Sequence, residues 1–383
     1  MRELDFGNKI ITGEGALAKL EELAGNSTLI ITDQSMVKFG MVAKVKELLT
    51  HCEISEFDGV MPDPTLNVIT AGVKALEECG AETIIALGGG SVMDTAKAVR
   101  MVGSKVLNRD ISAWEFIAVP TTSGTGSEVT DYSVITDAEK GIKYPLTSKE
   151  LRPSVAILDP ALTISVPPTV TADTGMDALT HAIEAYISSN ANDFSDALCE
   201  KAILYIYQYL PIAFKDGSNM TAREKLHIAS CMAGLAFNSA GLGLNHGMAH
   251  AVGGKFHIAH GRINAMLLPY VMRFNADLEH AHNGEYSMPA RKFQRIAHLL
   301  ELPSSGTRLG ANNLIRAIER MNHDLAIPST LIELGKDPQE IERYRGEMVA
   351  AALADTTTQT NPRPVTQEQA NEILTQLKGK RKN

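Results

Sequence analysis

The sequence predicts an α/β domain built on a parallel, Rossmann-like sheet, followed by an all-α domain. Three observations carry that reading. Up to residue 166, short β-rich runs alternate with helical periodicities, the spacing of strand–helix–strand units in a parallel sheet. Beyond Pro167 the strand signals nearly vanish and long amphipathic or buried helical patterns take over. At 383 residues the chain is too long for one ordinary domain. The boundary falls at Val166-Pro167-Pro168, giving domains of residues 1–166 and 167–383.

In the first domain, residues 28–32 (TLIIT) read as a buried strand and 41–49 as the helix that follows. Residues 53–57 make a weaker strand, 67–79 a second amphipathic helix, and 82–87 (ETIIAL) a strand running straight into Gly88-Gly89-Gly90. Residues 114–119, 133–136 and 155–158 are strand-like as well. In the second domain, helices are expected over 174–188, 194–209, 222–240 and 263–274. From residue 288 further helices are broken at Pro303, Pro328 and Pro338. There is no internal repeat and no low-complexity stretch.

Composition narrows the function classes. Hydrophobic residues make up 44% of the chain and charged ones 21%, ordinary for a globular protein with buried cores. The formal net charge of −9 is spread along the chain, which argues against nucleic acid or an anionic membrane as partner. The only concentrated basic run is residues 378–382, the pattern of a solvated tail. The four cysteines show no Cys-x-x-Cys spacing, so reduced thiols in a cytoplasmic protein are expected. The start, MRELDFGNKI, lacks the basic-then-apolar pattern of a secretory signal. No window holds the ~18 uninterrupted apolar residues of a membrane-spanning helix.

Two loops in the first domain have the make-up of a phosphate cradle. In GGGSVMDTAKAV (88–99) a strand, three glycines and a helix follow in order. Glycine lets the backbone approach a ligand closely, and a helix start offers free N–H groups and a partial positive charge. Ser91 with Asp94 has capping-box spacing, with Asp in place of Glu. A plain capped βα turn would look the same, and the stretch is not the G-x-G-x-x-G fingerprint. PTTSGTGSEVT (120–130) follows the next strand with small hydroxyl and glycine residues, which supply donors without bulk. Either loop alone also reads as an ordinary surface loop; two at strand ends in one domain favour a dinucleotide. Asp33, just past the 28–32 strand, is suited to accept from adenosine ribose hydroxyls and so favour NAD over NADP, or to cap a helix.

In the second domain, four of the eleven histidines lie within residues 243–261: His246, His250, His257 and His260. His246 and His250 are one helical turn apart, as are Asp177 and His181. Gly253-Gly254 is expected to break the helix and turn the chain so that His260 faces back. Three imidazoles and a carboxylate would form a site for a divalent transition metal. Packed or solvated histidines remain the bland alternative. Asp173 is expected to cap the helix start and His257 to be exposed in a loop.

At these residues the chain resembles the iron-containing (group III) alcohol dehydrogenase family over essentially its whole length. The shared motifs, in the family's order, are GGGSVMDTAKA, AVPTTSGTGSEVT, TGMDALTHAIEAY, GLGLNHGMAH and AHGRINAMLLP. The short stretch between Val99 and Trp114, with GIKYPL and NPRPVT, is most similar to microcompartment-associated members acting on short primary alcohols. The resemblance implies the dehydroquinate-synthase-like, iron alcohol dehydrogenase fold with its site between the two domains. It implies metal ligation by Asp177, His181, His246 and His260, with Fe²⁺ the usual ion and Zn²⁺ found in relatives. His250 matches a non-ligand histidine near the nicotinamide, the candidate proton relay. For NAD, Gly88, Gly89, Gly90 and Ser91 match the pyrophosphate loop, with Asp94 counted beside them. Thr121, Thr122, Thr125, Thr130 and Lys143 match further contacts, and Asp33 matches the NAD-selecting acid. Asp63 stands where many relatives have Asn, near the expected adenosine end. A homodimer or larger homo-oligomer, encapsulated in a bacterial microcompartment, is also implied.

The expected activity is NAD(H)-linked interconversion of short primary alcohols and aldehydes (propanal or acetaldehyde), working in cells as an aldehyde reductase. The rivals are a 1,2- or 1,3-diol dehydrogenase (lactaldehyde or 1,3-propanediol), a dehydroquinate-synthase-like lyase, and a non-catalytic scaffold. The wording of TGMDALTHAIEAY and HGMAH fits the alcohol dehydrogenases better than the lyase.

Overall fold

The computed structural model describes residues 5–137, 142–281 and 284–380. By internal contacts the chain divides into two compact units. The first is Met1–Val166 with Ser218–Gly234; the second is Pro167–Gly217 with Leu235–Asn383. A segment read from sequence as part of the helical domain thus counts with the first unit.

The first unit is organised by a six-stranded sheet. Its strands are β1 (Lys9–Thr12), β2 (Ser27–Asp33), β3 (Glu53–Val60), β4 (Thr83–Gly88), β5 (Glu115–Pro120) and β8 (Val155–Leu158). They lie in the order β1-β8-β5-β4-β2-β3, and every pairing is parallel. Helices α1 (Leu20–Leu23), α2 (Gln34–Lys38), α3 (Met41–Leu48), α4 (Leu66–Cys79) and α5 (Gly90–Val106) connect the strands. Successive side chains of a strand point to opposite faces, and here both faces are apolar. Leu29, Ile31, Ile84, Ala86 and Phe116 enter one core with Val73 and Val99 of the helices. Ile30, Ile85, Leu87 and Ile117 enter the other with Val45 and Leu49. A doubly covered parallel sheet needs such continuous apolar runs.

The run at 133–136 is a strand, but it is not in this sheet. It belongs to β6 (Tyr132–Asp137), which pairs antiparallel with β7 (Ile142–Thr147) in a separate hairpin. Strand propensity alone does not reveal the pairing partner, and the alternation of β7 is weak in sequence. β1 also carries too short an apolar run to be read beforehand.

The second unit is helical. It contains α6 (Pro168–Ile187), α7 (Asp193–Lys215), α9 (Leu244–Phe256), α10 (His260–Ala276), α11 (Met288–Leu299), α12 (Thr307–Asp324), α13 (Pro338–Ala354) and α14 (Gln367–Lys378). Helix α8 (Met220–Ala240) begins in the first unit and ends in the second. Helix α6 starts at Pro168, whose ring suits a first turn. Asp173 therefore lies inside the helix and is not its cap; its carboxylate accepts from Arg262 Nε at 3.0 Å.

The Gly253-Gly254 pair does not break α9. Both residues are helical, and the reversal comes at His257, the left-handed C-cap (φ 50°), which is exposed as expected. Gly253 answers to packing: a Cβ there would meet Ile263 Cγ2 at 3.0 Å. Gly261 is more demanding still, since a Cβ would lie 2.1 Å from the Asp173 carbonyl oxygen. These two glycines let α10 lie close against α9 and α6.

Among the described residues no helix is long and apolar enough to cross a membrane. All four cysteines are free thiols.

Candidate active site

In the second unit, Asp177, His181, His246 and His260 come together from α6, α9 and α10. One ligand-type atom from each lies within 4.8 Å of every other. His246 Nε2 and His260 Nε2 are 4.0 and 3.6 Å from Asp177 Oδ1. Ligand atoms sharing one ion at about 2.1 Å would lie at most ~4.2 Å apart, so the 3.6 and 4.0 Å separations already fit and the widest ones must close somewhat. The His181 and His246 rings stack at 4.6 Å, and Phe237 packs on His181 at 4.6 Å. Asp177, His181 and His246 are buried, whereas the His260 side chain is 43% exposed.

The chemistry of this donor set suits a divalent cation. Burial, and then the neighbouring imidazoles, hold His246 well below the usual histidine range, so its ring is neutral and can donate a lone pair. Its Nδ1 is taken by Glu184 Oε2 at 2.5 Å, which leaves Nε2 for the cluster. The Asn264 side-chain amide lies 2.8 Å from Asp177 Oδ1, 3.0 Å from His260 Nε2 and 3.2 Å from His246 Nε2. An amide nitrogen has two hydrogens, so three acceptor atoms face one small donor. Lone pairs convergent on a point are what a cation requires.

His250, one turn on from His246, stands at the edge of this cluster. Its ring stacks on His260 at 5.3 Å, and its side chain is 38% exposed. Nδ1 lies 2.8 Å from Asp355 Oδ2. Burial raises the Asp355 carboxyl, but hydrogen bonds from His250 and Thr357 outweigh it and hold the group down at about 2. Asp355 is thus a carboxylate that orients the His250 ring.

In the first unit, the two polar loops lie side by side. Gly88 ends β4 with φ 157°, and a Cβ there would meet Val92 Cγ2 at 2.6 Å. A Cβ on Gly90 would meet Thr125 Cγ2 at 2.8 Å, so the glycine turn and the 120–130 loop pack directly against each other. The Thr121 N–H donates to the Gly88 carbonyl at 3.0 Å. Thr122 sits beside Gly89, and Thr125 Oγ1 accepts from the Ser127 N–H. The cap of α5 is Gly89, with no side-chain hydrogen bond, so Ser91 and Asp94 form no capping box. Asp94 instead accepts from Ser127 Oγ at 3.1 Å and from the Val134 N–H at 3.2 Å, tying α5 to the second loop and to β6.

Beneath the loops lies Lys97, fully buried. Its Nζ donates among Tyr132 O at 2.7 Å, Ser127 Oγ and Thr130 O at 2.9 Å, and Thr130 Oγ1 at 3.1 Å. Burial draws the ammonium down to about 8, against the pull of Asp94, Glu128 and Asp131. Ser123 Oγ lies 3.0 Å from Nδ1 of the buried His227, and burial lowers that imidazole to about 4.

Asp33 ends β2 and caps α2, its Oδ1 accepting from Ser35 N–H at 2.8 Å and Met36 N–H at 3.2 Å. Asp63 has φ 54°, a left-handed conformation that Asp and Asn tolerate better than most residues. Lys143 pairs with Thr136 in the hairpin, but its side chain lies outside the described residues.

Sequence reasoning missed Glu184, Asn245, Asn264, Asp355, Lys97 and His227. Glu184 lies one turn after His181 and Asn264 one turn after His260, so helical spacing offered a signal for both. Lys97 interrupts an apolar helix face. Asp355 and His227 carry no local signal, because their partners lie 105 and 104 residues away.

With this geometry in view, comparison with known proteins assigns the class. A profile described as iron-containing alcohol dehydrogenase matches residues 7–160, and one described as the C-terminal part of the Fe-containing alcohol dehydrogenase family matches residues 171–377. The chain belongs to the iron-containing alcohol dehydrogenase family, oxidoreductases that interconvert alcohols and aldehydes. It is 42% identical over 380 residues to a 1-propanol dehydrogenase of Citrobacter freundii, covering 98% of this chain and 100% of that one. Among solved structures it resembles a 1,3-propanediol oxidoreductase (TM-score 0.88, 36% identity, 98% and 100% of the two chains). It also resembles a sulfoacetaldehyde reductase from Bifidobacterium kashiwanohense in complex with NAD⁺ (TM-score 0.85, 27% identity, 98% of each chain).

Proposed function

We propose that this protein is an NAD(H)-dependent reductase of short aliphatic aldehydes, acting reversibly on primary alcohols such as 1-propanol and ethanol. Asp177, His181, His246 and His260 hold its Fe²⁺, a site chemically open to Zn²⁺ as well. The observation that carries this is the convergence of the four ligand-type atoms within 4.8 Å.

When bound, such an ion supplies Lewis-acid polarisation of the substrate oxygen. The chain's own groups do the rest. Neutral imidazoles leave the ion's charge uncancelled except by Asp177. Asp355 holds His250 Nδ1, so Nε2 is the atom that exchanges a proton with the substrate oxygen or solvent. Gly88, Gly89, Gly90 and Ser91 cradle the pyrophosphate at the start of α5. Thr121, Thr122, Thr125, Thr130 and Lys143 complete the cofactor contacts, and Asp94 holds their loop. Asp33 accepts from the adenosine ribose and disfavours a 2′-phosphate, and Asp63 lies at the adenosine end. Hydride transfer is the chemistry of the cofactor. Assembly as a homodimer or larger homo-oligomer inside a microcompartment belongs to the same proposal and rests on the family resemblance.

The 36% identity to a 1,3-propanediol oxidoreductase favours one second reading, a diol dehydrogenase. Both are tested by NADH oxidation on anaerobic protein stripped of metal and reloaded with Fe²⁺ or Zn²⁺. Propanal turnover restored by Fe²⁺, and faster than lactaldehyde or 3-hydroxypropanal turnover, is the expected result. Preference for the hydroxyaldehydes selects the second reading, and binding of metal with no turnover of any of them overturns both. His250→Ala should cut turnover with metal content intact; loss of the metal would make His250 a ligand and not a relay.

A further inference from the structure

We propose that Glu184, Asn245 and Asn264 form one buried positioning network that sets the orientation of His246 and Asp177, and so how long the protein retains its metal. The inference rests on the reading that those side chains are ligands.

Glu184 lies on α6, seven residues after Asp177, and is 2% exposed. Its carboxylate meets the N-terminus of α9. There the cap is Gly243, which has no side chain to offer. A Cβ on Gly243 would stand 2.7 Å from Glu184 Oε1, so this acid occupies the space a capping side chain would need. Oε1 accepts from the Asn245 N–H at 2.7 Å, and Oε2 holds His246 Nδ1 at 2.5 Å. One carboxylate therefore caps the helix that carries His246 and fixes the tautomer of its ring.

Asn245 continues the chain of contacts. Its Nδ2 donates to Asn264 Oδ1 at 2.9 Å and to the Asn264 carbonyl at 3.2 Å. That sets which way the Asn264 amide faces: the oxygen toward Asn245, the nitrogen toward the cluster. Asn264 Nδ2 then donates to Asp177 Oδ1 at 2.8 Å. Both asparagines are completely buried, so water cannot replace either link. Two of the four ligand side chains, on different helices, are thereby oriented by one network. Outer partners of this kind commonly change metal affinity by about 10- to 100-fold when removed.

The test uses full-length protein stripped of iron and loaded with Co²⁺, whose visible absorption reports coordination geometry. Glu184→Gln keeps the shape but leaves one oxygen to serve both Asn245 N–H and His246 Nδ1; Asn264→Ser removes the amide donor to Asp177 without adding charge. Both variants should release Co²⁺ to a chelator about 10- to 100-fold faster than the parent, with altered d–d bands. The thermal midpoints of the metal-free proteins report any separate folding defect. If Glu184→Gln does not fold, Asn264→Ser carries the test alone. Parent-like release and unchanged spectra in the folded variants would overturn the network. Failure of the parent itself to bind Co²⁺ or Fe²⁺ would overturn the ligand assignment beneath it.

Discussion

The candidate sites of the two units are built in opposite ways. In the second unit, chemistry is carried by side chains of helices α6, α9 and α10, three of the four buried, with His246 and Asp177 oriented by further buried groups. In the first unit it is carried by a glycine turn, the start of a helix and short hydroxyls, with Lys97 sunk beneath them. The contrast matches what each would bind on the proposed reading. A metal needs a few strong donors converging in a low dielectric, which rigid helices hold best. A pyrophosphate needs many N–H groups and no bulk, which a glycine loop supplies. Loss of one side chain should therefore be all-or-none in the second unit and graded in the first.

The largest effect is expected for Asp177→Ala, which removes the one carboxylate of the metal cluster. Metal should be lost and turnover fall to background; stoichiometric metal by elemental analysis would break the contrast at once. Lys97→Met comes next. It strips Thr130, Ser127 and Tyr132 of their charged donor, and with the 120–130 loop unanchored the affinity for NADH should fall about tenfold, ~1.4 kcal/mol. KM for NADH should rise by that order while kcat and metal content change little. A fall in kcat alone would assign Lys97 elsewhere. Asp33→Gly should improve use of NADPH severalfold, at the cost of the α2 cap, roughly a few tenths of a kcal/mol because glycine is itself a tolerated N-cap. Unchanged cofactor preference in steady-state assays removes that role.

The smallest effect on activity is expected at His227, where the readout is stability. Its folded pKa is about 4 against an ordinary 6.5. Between those values the unfolded chain holds a proton that the folded one does not, so stability falls as pH drops from 6.5 toward 4. The shift corresponds to ~3 kcal/mol in full. Urea titrations at pH 7 and 5 should show a shallower loss in His227→Gln than in the parent; equal losses would mean the imidazole charges in place.

Legibility followed the range of the physics involved. The parallel sheet was readable because each of its central strands must be apolar on both faces, and the helices because their apolar period runs over many turns. Asp177, His181, His246 and His260 could be gathered into one candidate set because they fall in two short stretches, 177–181 and 243–261. Where a local signal competed with packing, the local reading failed. Gly253-Gly254 looked like a helix break and is a close helix–helix approach; Ser91 with Asp94 looked like a capping box and is a tie between loops.

By itself, then, the chain's periodicity determined the layered α/β half and the helical half, and its motif spacing offered a candidate set of ligand-type residues. Only the tertiary structure decided which groups orient them. Glu184 and His246 are 62 residues apart, His250 and Asp355 are 105, and Lys97 and Thr130 are 33. A buried polar group must find a partner or lose its hydration for nothing in return. Which partner it finds depends on how the helices and strands pack, and no local pattern encodes that.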